Sequence, residues 1–171
     1  MKKIILLTLL ILLNVGCKKS LNKVITDDKT GKPMLIGQTD RSAFELPEFS
    51  DWYTSEYNSY EPDEFFVEQI NKLNDSVTVQ IIMGTWCSDS RREVPRFLKI
   101  FDMTDFEPNQ LEIVNLNRKM KSPARSEKNK NIEFVPTFIF NKLDQEIGRI
   151  VEFPIVTLES DLFSILADPK L

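Results

Sequence analysis

In this chain of 171 residues, the stretch Gly84-Thr85-Trp86-Cys87-Ser88-Asp89-Ser90-Arg91-Arg92-Glu93-Val94-Pro95 holds the residues whose types and spacing could do chemistry. Cys87 follows an apolar run, a helix opens just behind it, and Ser90 stands three residues on. The chain has two cysteines and no histidine. That absence excludes Cys-His and Ser-His nucleophile pairs and the commonest zinc sites. The thiol must therefore draw its reactivity from its place in the backbone. At a helix N-terminus the unpaired N–H groups and the helix dipole favour an anion, so a cysteine there leans toward the nucleophilic thiolate. Arg91 and Arg92 add positive charge one turn on, whereas Asp89 opposes them and can cap the helix. Ser90 shares a helix side with Cys87, which places its hydroxyl to hydrogen-bond the sulfur. The bland alternative is a buried, inert cysteine that packs as a small hydrophobe.

The elements that must position this thiol flank it on both sides. Val77 to Met83 is rich in β-branched residues and reads as a strand. Behind Cys87, the residues Val94, Phe97, Leu98 and Phe101 form one helical face, interrupted by Pro95, which removes a backbone hydrogen bond. Leu111 to Leu116, Glu133 to Phe140 and Ile147 to Phe153 read as further strands, the last two joined by a turn through Asn141-Lys142-Leu143-Asp144. Residues 118–131 are basic and polar, a loop with a short helix. A last amphipathic helix spans about Thr157 to Leu166. Upstream, Phe49, Trp52, Tyr53, Tyr57 and Tyr60 recur at helical spacing, and Phe65, Phe66, Ile70 and Leu73 follow Pro62 with the same period. These are expected to be two amphipathic helices covering a sheet. The order implies an α/β fold with a mixed central sheet and helices on both faces.

Composition narrows the class further. The formal charge is −4, with both signs scattered along the chain. No basic stripe follows a phosphate backbone, so nucleic acid is not an expected partner. No metal site or cofactor motif is present, and no heptad seam sets an oligomeric state, which stays open.

The N-terminus reads as a targeting segment. Lys2 and Lys3 precede an apolar core from Ile4 to Leu13, too short for a comfortable membrane span. Asn14-Val15-Gly16-Cys17 resembles a bacterial lipobox, with Asn14 where Leu is preferred. The resemblance implies a signal peptide over residues 1–16 and a lipidated Cys17. Residues 17–41 read as a polar tether, in which Thr30-Gly31-Lys32-Pro33 turns between the short apolar pieces Val24-Ile25 and Met34-Leu35-Ile36 and offers a small hairpin at its end. The folded domain is expected over 42–171. The lipobox resemblance also implies lipid anchoring in the bacterial cell envelope, on the periplasmic side or the cell surface. An ordinary secretory signal with an incidental Cys17 is the alternative. With Cys17 blocked by lipid, Cys87 is the one free thiol and no internal disulfide can form.

Trp86-Cys87-Ser88-Asp89-Ser90 resembles the Trp-Cys-x-x-Cys motif of the thioredoxin superfamily, which follows a core strand. Pro95 matches that family's proline in the active-site helix, and Val135-Pro136-Thr137 resembles its cis-proline loop. The resemblance runs from about Ser76 to Leu166. It implies a thioredoxin-like three-layer α/β/α fold in which the two aromatic helices form an N-terminal extension. It further implies that Trp86, Val135 and Pro136 frame a substrate groove beside the nucleophile Cys87. Two departures stand out: Ser90 replaces the resolving cysteine, and Ile81 replaces the buried aspartate that serves it. Losing both is coherent, because a base without a second thiol is only a costly buried charge.

A single thiol can form a mixed disulfide but cannot release it, so an outside thiol must finish the cycle. The expected partners are protein or small-molecule thiols and disulfides. The expected activity is thiol-disulfide exchange or mixed-disulfide capture through Cys87, with Ser90 and the helix N-terminus stabilising the thiolate. The alternative is a non-catalytic binding lipoprotein that keeps the groove, with the aromatic helices as its partner surface.

Overall fold

The structure, a computed structural model, describes residues 21–169; Cys17 and the signal expected over residues 1–16 lie outside the described residues. The strands are Lys23–Thr26 (β1), Pro33–Thr39 (β2), Val77–Met83 (β3), Leu111–Asn115 (β4), Thr137–Lys142 (β5) and Gln145–Val151 (β6). The helices are Ser50–Ser59 (α1), Glu64–Asn71 (α2), Ser88–Met103 (α3) and Leu158–Ala167 (α4). All six strands join one mixed sheet in the order β1-β2-β4-β3-β5-β6. β3 runs parallel to β4, with α3 between them in the chain, and antiparallel to β5. β5 returns directly into β6. Leu143 and Asp144 both take positive φ there, which a two-residue hairpin turn of matching twist requires.

Alternation along β3 separates two apolar clusters. Val77, Val79, Ile81 and Met83 belong to the larger one, and Ile82 to the smaller one on the opposite face. All four helices lie over the larger cluster. Phe97 of α3 stacks near Phe138 of β5, with ring centroids 4.8 Å apart. On α4, Ile165 sits so close to Gly148 of β6 that a Cβ there would meet it at 2.7 Å. α1 packs on α3, and α2 on α4.

This corrects the expected three-layer arrangement. The second face, formed by Ile82, Val114, Leu116 and Ile139, is covered by the connection between β4 and β5 through Met120 and Ile132, not by a helix. The short helix expected within 118–131 is absent too; the segment runs through turns. The reason is local. Met120, Arg125, Asn129 and Asn131 take positive φ, and Met120 and Ala124 alone are too few apolar residues to make a buried helical face. The two aromatic helices, N-terminal to β3, pack into the same helical layer as α3 and α4.

The polar tether expected over 17–41 is also corrected. From Leu21 on, it belongs to the domain. β1 and β2 form the small antiparallel hairpin that the Thr30–Pro33 turn offers, and β2 goes beyond a tether by joining the sheet, pairing with β4 at Gly37↔Asn115, Gln38↔Val114 and Thr39↔Ile113. Met34, Leu35 and Ile36 are all buried. A three-residue apolar run is too short to show a period in the sequence, yet it is enough for a strand held on both sides.

The aromatic residues of α1 are structural. Trp52, Tyr53, Tyr57 and, just past the helix, Tyr60 pack against the core, and two tyrosine hydroxyls donate to carboxylates: Tyr57 to Asp102 and Tyr60 to Glu159, each at 2.6 Å. Burial, then the Asp102 hydrogen bond, pushes Tyr57 up to about 12. Phe65 departs from the expected apolar face of α2. It is exposed, and Val67 is buried with Ile70 instead.

Thr85 joins β2 to the turn after β3. Its hydroxyl accepts from the Leu35 N–H at 3.0 Å, with both residues fully buried. Thr85→Val keeps the shape and removes the acceptor, leaving a buried donor unpaired. The expected loss of stability is about 1–3 kcal/mol, measured by urea unfolding. An unchanged midpoint would show that the hydrogen bond does not tie the hairpin to the turn.

Candidate functional site

Cys87 occupies the N-cap position of α3, at the end of the turn that leaves β3. Its N–H donates to Gly84 O at 2.9 Å, closing the turn, and its carbonyl accepts the first helical bond from Arg91 N. Gly84 is required by its neighbour, because a Cβ there would lie 2.6 Å from Trp86 Nε1. That indole nitrogen donates to Leu116 O at 2.8 Å, which lays the ring across the end of β4. Trp86 and Cys87 are both half-buried, against the cluster on the second face.

The thiol faces the segment that leads into β5. Cys87 Sγ donates to Val135 O at 3.1 Å. The Val135–Pro136 peptide is cis, and Pro136 O accepts from Glu152 N at 2.7 Å, fixing the segment to the end of β6. Thr137 Oγ1 donates to Phe134 O across the same turn. Cys87, Trp86, Val135 and Pro136 are thus brought together.

Ser90 does not join them as expected. It is fully buried, and its Oγ accepts from Gly84 N at 3.2 Å. No hydrogen bond connects it to Cys87 among the described residues. The first turn of α3 carries Ser90 beneath the thiol, where the Gly84 N–H would otherwise be unpaired. Its role in this geometry is to hold the turn.

The charges near the thiol also differ from the expectation. Arg91 Nε donates to Thr85 O, and Arg92 is occupied by Asp89 at 2.9 Å and by Glu93. Asp89 therefore pairs with Arg92 and does not cap α3. The cation that meets the site is Arg118, from the connection between β4 and β5. Its guanidinium carbon lies 5.0 Å from the centre of the Trp86 ring. Nε reaches both Asp27 oxygens, at 2.8 and 3.0 Å, and Nη2 reaches Oδ2 at 2.8 Å.

Asp27 is 3 % exposed and sits in the loop between β1 and β2. It also accepts from Thr30 Oγ1 at 2.6 Å and from Lys29 N at 3.1 Å. The Arg118 guanidinium first, then the Thr30 hydroxyl, holds the Asp27 carboxyl well below the usual carboxylate range. Asp27 first, and the Cys87 sulfur in smaller part, keeps Arg118 in its cationic form. Sequence reasoning missed both residues, which stand 91 positions apart. A carboxylate opening the Asp27-Asp28-Lys29-Thr30-Gly31 turn signals an Asx turn, but nothing in the sequence names its distant cation.

No family model matches this chain, and no curated protein matches it either. A crystal structure of a protein of unknown function from Pseudomonas aeruginosa is similar in fold, with a TM-score of 0.56 at 15% identity. The similarity covers 77% of this chain and 91% of that one. At that identity it bears on the fold alone. It is consistent with a mixed α/β architecture.

Asp27 also sets a pH dependence. Its folded-state value is depressed below the ordinary 3.8. Between the two values the unfolded chain binds more protons, so stability rises with pH across that window and is complete above it. Asp27→Asn should therefore lower the urea midpoint at neutral pH, with the gap to the wild type closing as pH falls below about 4. A gap that stays constant to pH 2 would contradict the pairing.

Proposed function

We propose that this chain is a thioredoxin-like monothiol protein of the bacterial cell envelope, anchored by lipid at Cys17, that performs thiol-disulfide exchange through Cys87. One observation carries the reading: the Cys87 sulfur stands at the start of α3, 3.1 Å from Val135 O beside the cis Val135–Pro136 peptide. A half-buried thiol beside the Val135 carbonyl suits attack on a disulfide whose flanking chain pairs with the backbone there.

The chemistry follows from the single thiol. The Cys87 thiolate attacks one sulfur of a disulfide, forms an S–S bond with it, and expels the other half as a thiolate. Among the described residues Cys87 is the free cysteine. Ser90 cannot serve as a resolving group, since its oxygen is buried against Gly84 N and forms no disulfide. Release therefore falls to an outside thiolate, which attacks the partner's sulfur and returns Cys87 to its starting state. Exchange between partners is supported, and self-contained reduction is not.

A second reading is a lipid-anchored binding module without turnover. The observation in its favour is the exposed apolar side chains of Phe134, Phe153, Ile155 and Val156, which flank the segments carrying Pro136 and Glu152.

Loading the thiol with a neutral dipyridyl disulfide separates the readings. The full-length chain carrying Cys17→Ser, in detergent, should gain one pyridyl adduct at Cys87 by mass spectrometry. The adduct should persist until an external thiol is added and then leave completely; Cys87→Ser should gain none. Failure to form the adduct, or failure of external thiol to remove it, favours the binding module.

A further inference from the structure

Arg118 is held with more care than a loop residue needs. Asp27 fixes two of its three nitrogens, Trp86 supports its face, and its side chain remains 30% exposed. Nη1 makes no hydrogen bond among the described residues. A guanidinium oriented on one edge and open on another is preorganised to bind an anion, because the side-chain ordering is already complete before the ligand arrives.

The space beside it has a definite size. Arg118 lines a cleft of about 390 Å³ with Ile25, Lys29, Met34, Asn117 and Lys119. Asp27 and Asp28 line it too, against the three cations Lys29, Arg118 and Lys119, so positive charge remains. Asp27 is buried and already paired with Arg118, which leaves Asp28 as the exposed acid. The volume falls in the range of small-molecule sites. The loop beyond adds Lys121 and Lys128, both exposed, while its acid Glu127 is buried and paired with Arg125. A chain of net charge −4 thus carries a basic edge on the loop whose Arg118 lies over Trp86, the residue before the thiol.

We propose that Arg118 and this cleft recognise the carboxylate of a small anionic thiol, which meets Cys87 either as its disulfide or as the thiol that releases a captured partner. The inference rests on the thiol-exchange reading and names its co-substrate class. Arg118 is the specificity-determining residue and Cys87 the reacting one. In the first case the Cys87 thiolate takes one half of the anionic disulfide into an S–S bond and expels the other as a thiolate. In the second the anionic thiolate attacks the partner's sulfur in the mixed disulfide and Cys87 leaves as thiolate. In both, the sulfur electrons balance with no other oxidant or reductant.

The test compares two probes on the full-length Cys17→Ser chain in detergent: a dianionic aromatic disulfide with two carboxylates, and the neutral dipyridyl disulfide. The ratio of their rate constants cancels any change in the thiol itself. At low salt, Arg118→Gln should lower the anionic-to-neutral ratio by about tenfold, and high salt should lower the wild-type ratio in the same direction. Lys119→Gln, at an exposed position, should lower it less. A ratio unchanged in Arg118→Gln overturns the inference, and so does an equal fall in both rates, which would place Arg118 in support of the thiol or the fold. If wild-type Cys87 reacts with neither probe, the exchange reading fails and this inference fails with it.

Discussion

One face of the sheet is covered by a loop, and a loop has no hydrogen-bond ladder of its own to hold it in place. Everything about the site follows from how that covering is secured. Met120 and Ile132 supply the apolar contacts, but much of the restraint is polar. Asn117 Oδ1 accepts from Lys119 N and Lys121 N, Glu127 accepts from Ser122, and Arg149 of β6 donates to Lys130 O. The largest commitment is the buried Asp27 carboxylate, which needs a partner because an unpaired charge at that depth would be strongly unfavourable. Arg118 meets that need and, in doing so, lies over Trp86. The device that fastens the loop is therefore the one that lays a cation over Trp86, next in the chain to the thiol.

The β1–β2 hairpin changes meaning in this light. Its outer strand is exposed and short, and its inner strand extends the sheet and buries Met34, Leu35 and Ile36. What gives it a place in the site is the loop between the two strands, which presents Asp27, and the Leu35 N–H, which reaches the Thr85 hydroxyl. Two contacts from a segment far upstream thus bear on the turn that carries Cys87. The hairpin and the β4–β5 connection meet there, with α3 behind them.

The legible part of this molecule was the part written in local periodicity. The Val77–Met83 strand and the helix behind Cys87 follow from apolar spacing, and the structure places them with those boundaries or close to them. The final hairpin is also present, with its first strand at Thr137–Lys142 instead of Glu133–Phe140. The meeting of Cys87 with Val135 was legible only through the resemblance of two separated motifs. The rest depended on long-range pairing. A three-residue apolar run in β2 has no period to read, and the Asp27–Arg118 pair spans 91 positions without a local signal. Ser90 shows the opposite failure: helical spacing placed it on the sulfur's side, whereas the unpaired Gly84 N–H claimed its oxygen. Arg91 and Arg92 were counted as charges near the thiol, yet a carbonyl and two carboxylates had prior claim on them.

The central claim is that the fold makes Cys87 more reactive toward disulfides than an ordinary cysteine, through its place at the start of α3 beside Val135. The most direct measurement is the second-order rate of its reaction with a neutral disulfide in the folded full-length Cys17→Ser chain, set against the rate for the same chain unfolded in urea at the same pH. The account predicts a faster reaction in the folded protein, completed by release with an external thiol. A thiol that reacts only as the chain unfolds would contradict it and leave Cys87 as a packing residue.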